Sequence, residues 1–213
     1  MSERLDRSGY ELELEEDFTH PVLDPDRWVA HYLPHWTTPE RSAARYELRP
    51  GLLRLRIEAD QPAWRLAEAV LRASADPACM LAFWLVGFEE ASPEQSGEIC
   101  VCELFGNAVG PGRSGARIGV KAHGDPRLRQ DMEEVLLDVD ATDWHAYAAE
   151  WTAERIRFFV DDRLVREVRQ RIDYPLQLMI DLFEFPEGGD RDPAAYPKIG
   201  DVRAVRGYRS PAG

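Results

Sequence analysis

The stretch Ser96–Gly106, which reads SGEICVCELFG, decides the fold and carries the candidate chemistry. Its apolar and β-branched residues, bounded by glycines, predict a buried β-strand. Two carboxylates in a buried strand indicate a specific role, because burying an unpaired charge is costly. Glu98 and Glu103 are five positions apart, so a regular strand would point them to opposite faces. A β-bulge between them would bring both to one face, and two carboxylates about 5 Å apart suit retaining glycoside hydrolysis.

Short strand-like segments separated by turn signals make up the rest of the chain. A Pro50-Gly51 turn joins two alternating segments over 44–59, and Asp161-Asp162 marks a second hairpin over 155–165. The apolar run Cys79–Phe88 is too short to span a membrane and predicts a strand buried on both faces. Further strands are predicted over 116–123, 135–140, 175–183 and 198–208. This pattern predicts one all-β domain over residues 1–213, an antiparallel β-sandwich.

The charge of the chain narrows the choice of partner. Its 39 acidic and 26 basic residues give a formal net charge of −13. Nucleic acid is therefore not an expected partner, because a phosphate backbone needs a basic footprint. Strongly anionic glycans are disfavoured for the same reason, and no apolar run suits a membrane span. A neutral polysaccharide or oligosaccharide is the expected partner, while the oligomeric state is left open.

Cysteine usage indicates a reducing compartment. The three cysteines are an odd number, and Cys100 and Cys102 are too close along a strand to bridge comfortably. The first seven residues lack the apolar segment of a secretory signal. We therefore expect a cytoplasmic protein, or a secreted one if a leader precedes this sequence.

The stretch Ser96–Gly106 resembles the signature of glycoside hydrolase family 16, the laminarinase, lichenase and agarase group. The bulged form of that signature reads Glu-Ile-Asp-x-x-Glu, followed by an aromatic residue and Gly. The positions that fit are Glu98, Ile99, Glu103, Phe105 and Gly106. Cys100 stands where the family has its central Asp. The resemblance implies a concanavalin A-like jelly roll whose concave sheet forms a sugar cleft.

The resemblance extends, with one gap, from about Asp17 to Tyr208. The segment Asp143–Thr152 is similar to a family segment whose His and Trp belong mostly to the core of the convex sheet, which implies structural roles for His145 and Trp151. The family has a further strand and loop where this chain has only Gln61–Leu66, around Trp64. Either a wall of the cleft is shortened there, or residues are missing from the sequence.

The resemblance also implies the roles of the site residues. Glu98 would be the nucleophile and Glu103 the general acid and base, so that Glu103 must hold a proton in the first step. The family Asp hydrogen-bonds the nucleophile and helps set both protonation states. Cys100 supplies a weaker hydrogen bond and no charge, so we expect activity to fall by roughly 10²–10⁴ without necessarily vanishing.

Three residues are candidate substrate contacts. Trp36, in an aromatic loop, is either a stacking platform for a sugar ring or an ordinary packed aromatic. Trp84 lies in a strand that resembles a strand of the family cleft. His123 resembles a histidine or polar residue that the family places near the catalytic pair, and is otherwise a polar strand end.

Taken together, these patterns predict a retaining endo-glycosidase acting on a neutral β-glucan-type polysaccharide. The alternative is a non-catalytic carbohydrate-binding protein on the same fold, with activity weakened or lost through Cys100. A third hypothesis, a metal site of Cys100, Cys102 and His123, is disfavoured because the two cysteines lack the usual zinc-knuckle spacing. We expect no metal and no cofactor.

Overall fold

The computed structural model describes residues 3–31, 43–57, 71–89, 92–185 and 193–209. Within these ranges the chain forms fourteen β-strands and two short 3₁₀ helices. The strands are β1 Glu11–Glu16, β2 Arg45–Arg49, β3 Leu52–Ile57, β4 Leu71–Arg72, β5 Cys79–Gly87, β6 Glu98–Phe105, β7 Ser114–Lys121, β8 Asp131–Leu137, β9 Tyr147–Trp151, β10 Ile156–Val160, β11 Arg163–Val168, β12 Leu176–Glu184, β13 Lys198–Val202 and β14 Val205–Arg209. Neither helix is long or apolar enough to cross a bilayer.

The architecture is the predicted antiparallel sandwich. One layer is a five-stranded sheet in the order β12-β5-β6-β7-β8. Three smaller antiparallel sheets, β2-β3-β13-β4, β11-β10-β9 and β1-β14, make up the rest of the strands. The main core includes Ile99, Leu104 and Ile118 from the large sheet and Leu53 and Phe158 from the smaller ones. We call the opposite side of the five-stranded sheet the outer face.

Both predicted hairpins are confirmed. In β2–β3, Leu53 and Leu55 are buried, as the alternation predicts. In β10–β11, Asp161 and Asp162 have φ values of 47° and 64°. Two consecutive positive φ angles match the right-handed twist of the flanking strands. The apolar strand is confirmed as well, because eight of the nine residues of β5 are buried.

Two predictions about strands are wrong in detail. The closing segment 198–208 is two strands rather than one, because β13 pairs with β3 while β14 pairs with β1 in another sheet. Trp151 does not belong to the core. It is 40% exposed, because β9 is the edge strand of its sheet.

His145 has the structural role that the resemblance implies. Its ring nitrogens contact the Asp161 carboxylate at 2.7 Å and the Asp140 carbonyl at 2.9 Å. The contacts join the segment before β9 to the β10–β11 turn. Trp36 and Gln61–Leu66 lie outside the described residues.

The bulge in β6 is confirmed by the register of its neighbours. On the β5 side, Trp84 pairs with Cys100 and Phe83 with Cys102, so Val101 is the additional residue. Val101 and Cys102 both belong to the core, and the alternation resumes one residue out of step. The bulge therefore returns Glu103 to the outer face that Glu98 occupies.

Candidate active site

The two glutamates of β6 meet on the outer face. Glu98 is only 4% exposed, and Glu103 is partly buried. An oxygen of each lies within 4.8 Å of the other. The two carboxylates are therefore neighbours on one face of the strand.

Lys121 connects the two glutamates, and sequence analysis missed it. It ends β7, directly opposite Glu98 in the register. Its Nζ donates to Glu98 Oε1 at 2.9 Å and to Glu103 Oε1 at 2.6 Å. Burial lowers the pKa of Lys121, but the two carboxylates outweigh that effect and raise the pKa above its ordinary value. The ammonium therefore stays charged between them.

A signal for Lys121 was present in the sequence. It precedes His123 by two positions, so the alternation of a strand would place both side chains on one face. It is also one of only two lysines among 26 basic residues. The register that sets it opposite Glu98 is a tertiary property, which is why the sequence alone did not identify the contact.

His123 lies beside the glutamate pair, as expected. Its Nε2 is 2.9 Å from Glu98 Oε2. It follows the end of β7 with a φ of 45°, a left-handed conformation that turns the chain out of the strand. Lys121 and His123 thus contact both oxygens of Glu98, which fixes the orientation of that carboxylate. A contact of His123 with substrate stays a prediction.

Cys100 does not contribute to the contacts that hold Glu98. Its side chain is fully buried, and Sγ donates weakly to the Arg117 carbonyl at 3.6 Å. Burial, together with the charges of Glu103 and Glu98, raises the pKa of the thiol well above its ordinary value. Cys100 is therefore a neutral group whose hydrogen points to the backbone of β7.

Trp84 lies on the outer face but is 6% exposed. Its indole N–H donates to the carboxyl of Asp181, which is fully buried. Burial raises the pKa of Asp181 well above its ordinary value. The structure thus gives Trp84 packing and hydrogen-bonding roles, and its contact with sugar stays a prediction.

One group of potential metal ligands occurs among the described residues, namely Glu98, Cys100 and Glu103. The Lys121 ammonium already contacts both carboxylates of this group and supplies positive charge there. The hypothesis of a site formed by Cys100, Cys102 and His123 is wrong, because the bulge turns Cys102 into the core.

An aromatic cavity flanks the pair on the Glu103 side. It has a volume of about 390 Å³ and is lined in part by Phe105, Arg117 and Phe185. The guanidinium of Arg117, the residue opposite Glu103, lies 4.6 Å from the Phe105 ring centroid. Phe105 and Phe185 are stacked with their centroids 6.0 Å apart. Phe185 is 42% exposed, and an exposed aromatic ring is suited to packing against the apolar face of a sugar.

Comparison with known proteins identifies the family of the chain. The model of Glycosyl hydrolases family 16 matches residues 63–186. No curated protein matches the chain.

Solved structures share the fold. The GlcNAcα1-4Gal releasing endo-β-galactosidase from Clostridium perfringens aligns with a TM-score of 0.79 and 21% identity, over 96% of this chain and 64% of that enzyme. This chain thus spans less than two thirds of that protein. The laminarinase from Flavobacterium sp. UMI-01 aligns with a TM-score of 0.71 and 20% identity, over 93% of this chain and 100% of that enzyme. The laminarinase from Rhodothermus marinus aligns with a TM-score of 0.67 and 20% identity, over 94% of this chain and 97% of that enzyme.

The family match is carried by the part of the chain that contains the site. Residues 63–186 are more than half of the 213 residues and include all of β5 to β12. They include the bulged strand, both glutamates and the residues of β7 that contact them. The similar solved structures independently support the jelly-roll fold that the sequence signature implies. The chain belongs to glycosyl hydrolases family 16.

Proposed function

We propose that this protein is a retaining endo-glycosidase that hydrolyses O-glycosidic bonds of a neutral β-glucan-type polysaccharide. One observation carries the proposal: the carboxylates of Glu98 and Glu103 share one face of β6, with oxygens within 4.8 Å of each other. A double displacement requires two neighbouring carboxyl groups, and this proximity supports the proposal.

In the first step, a Glu98 oxygen attacks the anomeric carbon while the glycosidic C–O bond breaks. Glu103 gives its proton to the departing oxygen, leaving a glycosyl ester on Glu98. In the second step Glu103, now a carboxylate, takes a proton from water as the water oxygen attacks the anomeric carbon. The ester bond breaks, and both glutamates return to their starting forms.

The nature of the substrate is supported by charge and by the surface next to Glu103. A net charge of −13 opposes a polyanionic chain. The stacked rings of Phe105 and Phe185 suit a sugar face. The similar structures include laminarinases and an endo-β-galactosidase, so neutral β-glucans and galactans are the substrates to test.

A second candidate is a carbohydrate-binding protein that does not catalyse hydrolysis. Two observations favour it: Cys100 is neutral with its hydrogen turned away from Glu98, and Glu103 is ion-paired with Lys121. In that pair an oxygen of Glu103 already accepts a hydrogen bond from the ammonium, so it is engaged with a group other than a substrate.

The test is release of reducing ends from a panel of neutral β-glucans and galactans. We expect turnover by the parent protein and none by Glu98→Gln. Glu154→Gln is the matched control, because Glu154 is exposed in the turn between β9 and β10. Calorimetric binding without reducing ends would select the binding protein, and Glu98→Gln matching the parent would exclude the proposed nucleophile.

A further inference from the structure

Lys121 occupies an exceptional position for a lysine in this chain. The sequence has only two lysines, Lys121 and Lys198. Lys198 is buried and pairs with Asp76 near the other end of the large sheet. Lys121 instead bridges two carboxylates that come from one neighbouring strand on either side of a bulge. Its ammonium is therefore held where the two candidate reacting groups face each other.

Other groups near the pair do not duplicate this contact. Within the described part of the chain, His123 contacts only the Glu98 member of the pair. Arg117, opposite Glu103, has its guanidinium over the Phe105 ring. Cys100 and Asp181 are fully buried, and burial raises the pKa of each, which favours their neutral forms.

Glu134 lines the cavity together with Arg117. It lies two strands away from β6, whereas Lys121 is in hydrogen-bond contact with both glutamates.

We propose that Lys121 is a positioning residue that holds Glu98 and Glu103 in register. The proposal rests on the retaining mechanism above. In it, the lysine supplies the hydrogen bond to the nucleophile that Cys100 does not provide.

The effect on the reaction follows from the two contacts. The first step needs a Glu98 oxygen aimed at the anomeric carbon and Glu103 within reach of the departing oxygen. One ammonium in contact with an oxygen of each carboxylate fixes the two groups relative to each other. Removing the ammonium should therefore lower kcat more than it changes KM.

The first experiment measures kcat and KM for the parent, Lys121→Met and Lys121→Arg. We expect Lys121→Met to lower kcat about 10-fold or more with KM near the parent value, because the two carboxylates lose the group that orients them. Lys121→Arg keeps the charge and the donors and should recover most of kcat. Lys198→Met is the matched control for loss of a buried ion pair, and should lower thermal stability without changing kcat. A parent-like kcat in Lys121→Met, or no recovery in Lys121→Arg, would overturn the proposal.

The second experiment does not depend on turnover. Selective isotope labelling of lysine gives two side-chain ammonium signals in an NMR spectrum, and Lys198→Met assigns them. At neutral pH we expect the Lys121 ammonium protons of the parent to exchange slowly with water, and to exchange faster in Glu98→Gln or Glu103→Gln, while the Lys198 signal is unchanged. Identical exchange of the Lys121 signal in all three proteins would overturn the bridge, even if Lys121→Met does not fold.

The two experiments separate the two proposals. An intact bridge by NMR, with no turnover by the parent on any glycan, would overturn the proposed hydrolase and still support the bridge. Turnover with no bridge would overturn the role of Lys121 and leave the hydrolase standing. Turnover, an intact bridge and a lowered kcat in Lys121→Met would support both.

Discussion

Nε2 of His123 lies 2.9 Å from Oε2 of Glu98, although the two residues are 25 positions apart in the chain. The contact forms because β7 runs antiparallel to β6 and ends at Lys121, opposite Glu98. The left-handed backbone of His123 then turns its ring back over the carboxylate. A strand end thereby becomes part of the site.

Loss of the His123 ring should impair catalysis without unfolding the protein. Asn is the suitable replacement because it tolerates a positive φ but is too short to keep the contact. A hydrogen bond to a charged group contributes about 1.5–3 kcal/mol, so we expect kcat/KM to fall roughly 10- to 100-fold. Steady-state kinetics on a glycan that the parent protein hydrolyses measure this decrease in kcat/KM.

The matched control is His145→Asn, at a histidine that contacts a carboxylate away from the glutamate pair. It should lower the thermal midpoint and leave kcat near the parent value, because His145 joins the segment before β9 to a turn. Parent-like kcat in His123→Asn would mean that the contact with Glu98 has no part in the reaction.

Cys100→Asp should increase activity and reduce stability. The new carboxyl group stands next to Glu98 and can supply a hydrogen bond that the thiol directs to the Arg117 carbonyl. The position is fully buried, so the added polar group should cost about 1–3 kcal/mol in the free energy of unfolding. Reducing-end release and urea denaturation measure the two effects.

Cys100→Ser is the control, because it introduces a small polar side chain without a carboxyl group. We expect no increase in activity from it. If the parent released no reducing ends and the Cys100→Asp variant did, the protein would be a hydrolase whose activity was lost through the residue at position 100. A Cys100→Asp variant that folds and shows no gain over Cys100→Ser would contradict the prediction.

Trp84→Phe should affect stability more than substrate affinity. The change removes the indole N–H that donates to Asp181 and leaves that buried carboxyl without its donor. An unsatisfied buried polar group costs about 1–3 kcal/mol, which should appear as a lower thermal midpoint. Trp151→Phe, at an exposed edge-strand position, should change neither quantity. A raised KM with an unchanged midpoint would instead make Trp84 a sugar contact.

Asp201 should make stability depend on pH. Arg54 donates to it at 2.6 and 3.0 Å, and Arg72 also contacts it. Burial raises the pKa of Asp201, but the two guanidinium groups outweigh burial and lower the pKa below 3.8. Because the folded-state pKa is depressed, the stabilisation is present above the unfolded-state pKa and is lost as pH falls through the folded-state value.

Asp201→Asn should therefore reduce the free energy of unfolding by roughly 2 kcal/mol at neutral pH. The difference from the parent should narrow below about pH 4. Urea denaturation at both pH values measures this. Asp138→Asn, at an exposed carboxylate 3.6 Å from Arg113, should have no measurable effect. A difference that stays constant with pH would argue against an ionic contribution from Asp201.

Much of the fold could be predicted because its signals are local. Alternation of apolar residues and turn chemistry identified the hairpin around Gly51, the Asp161-Asp162 turn and the apolar strand β5. The division of the closing segment into β13 and β14 was not predicted. Which sheet each half joins depends on partners, β3 and β1, that lie far away in sequence.

The sequence by itself determined the two glutamates, their five-residue spacing and the need for a bulge, because buried carboxylates in a strand require a common face. Only the tertiary structure decided what surrounds them. Antiparallel register across the bulge set Lys121 opposite Glu98 and in contact with Glu103. The same bulge separated Cys100 from Cys102. The pairing register of the strands depends on how whole sheets bury their apolar faces, so no short stretch of sequence predicts these contacts.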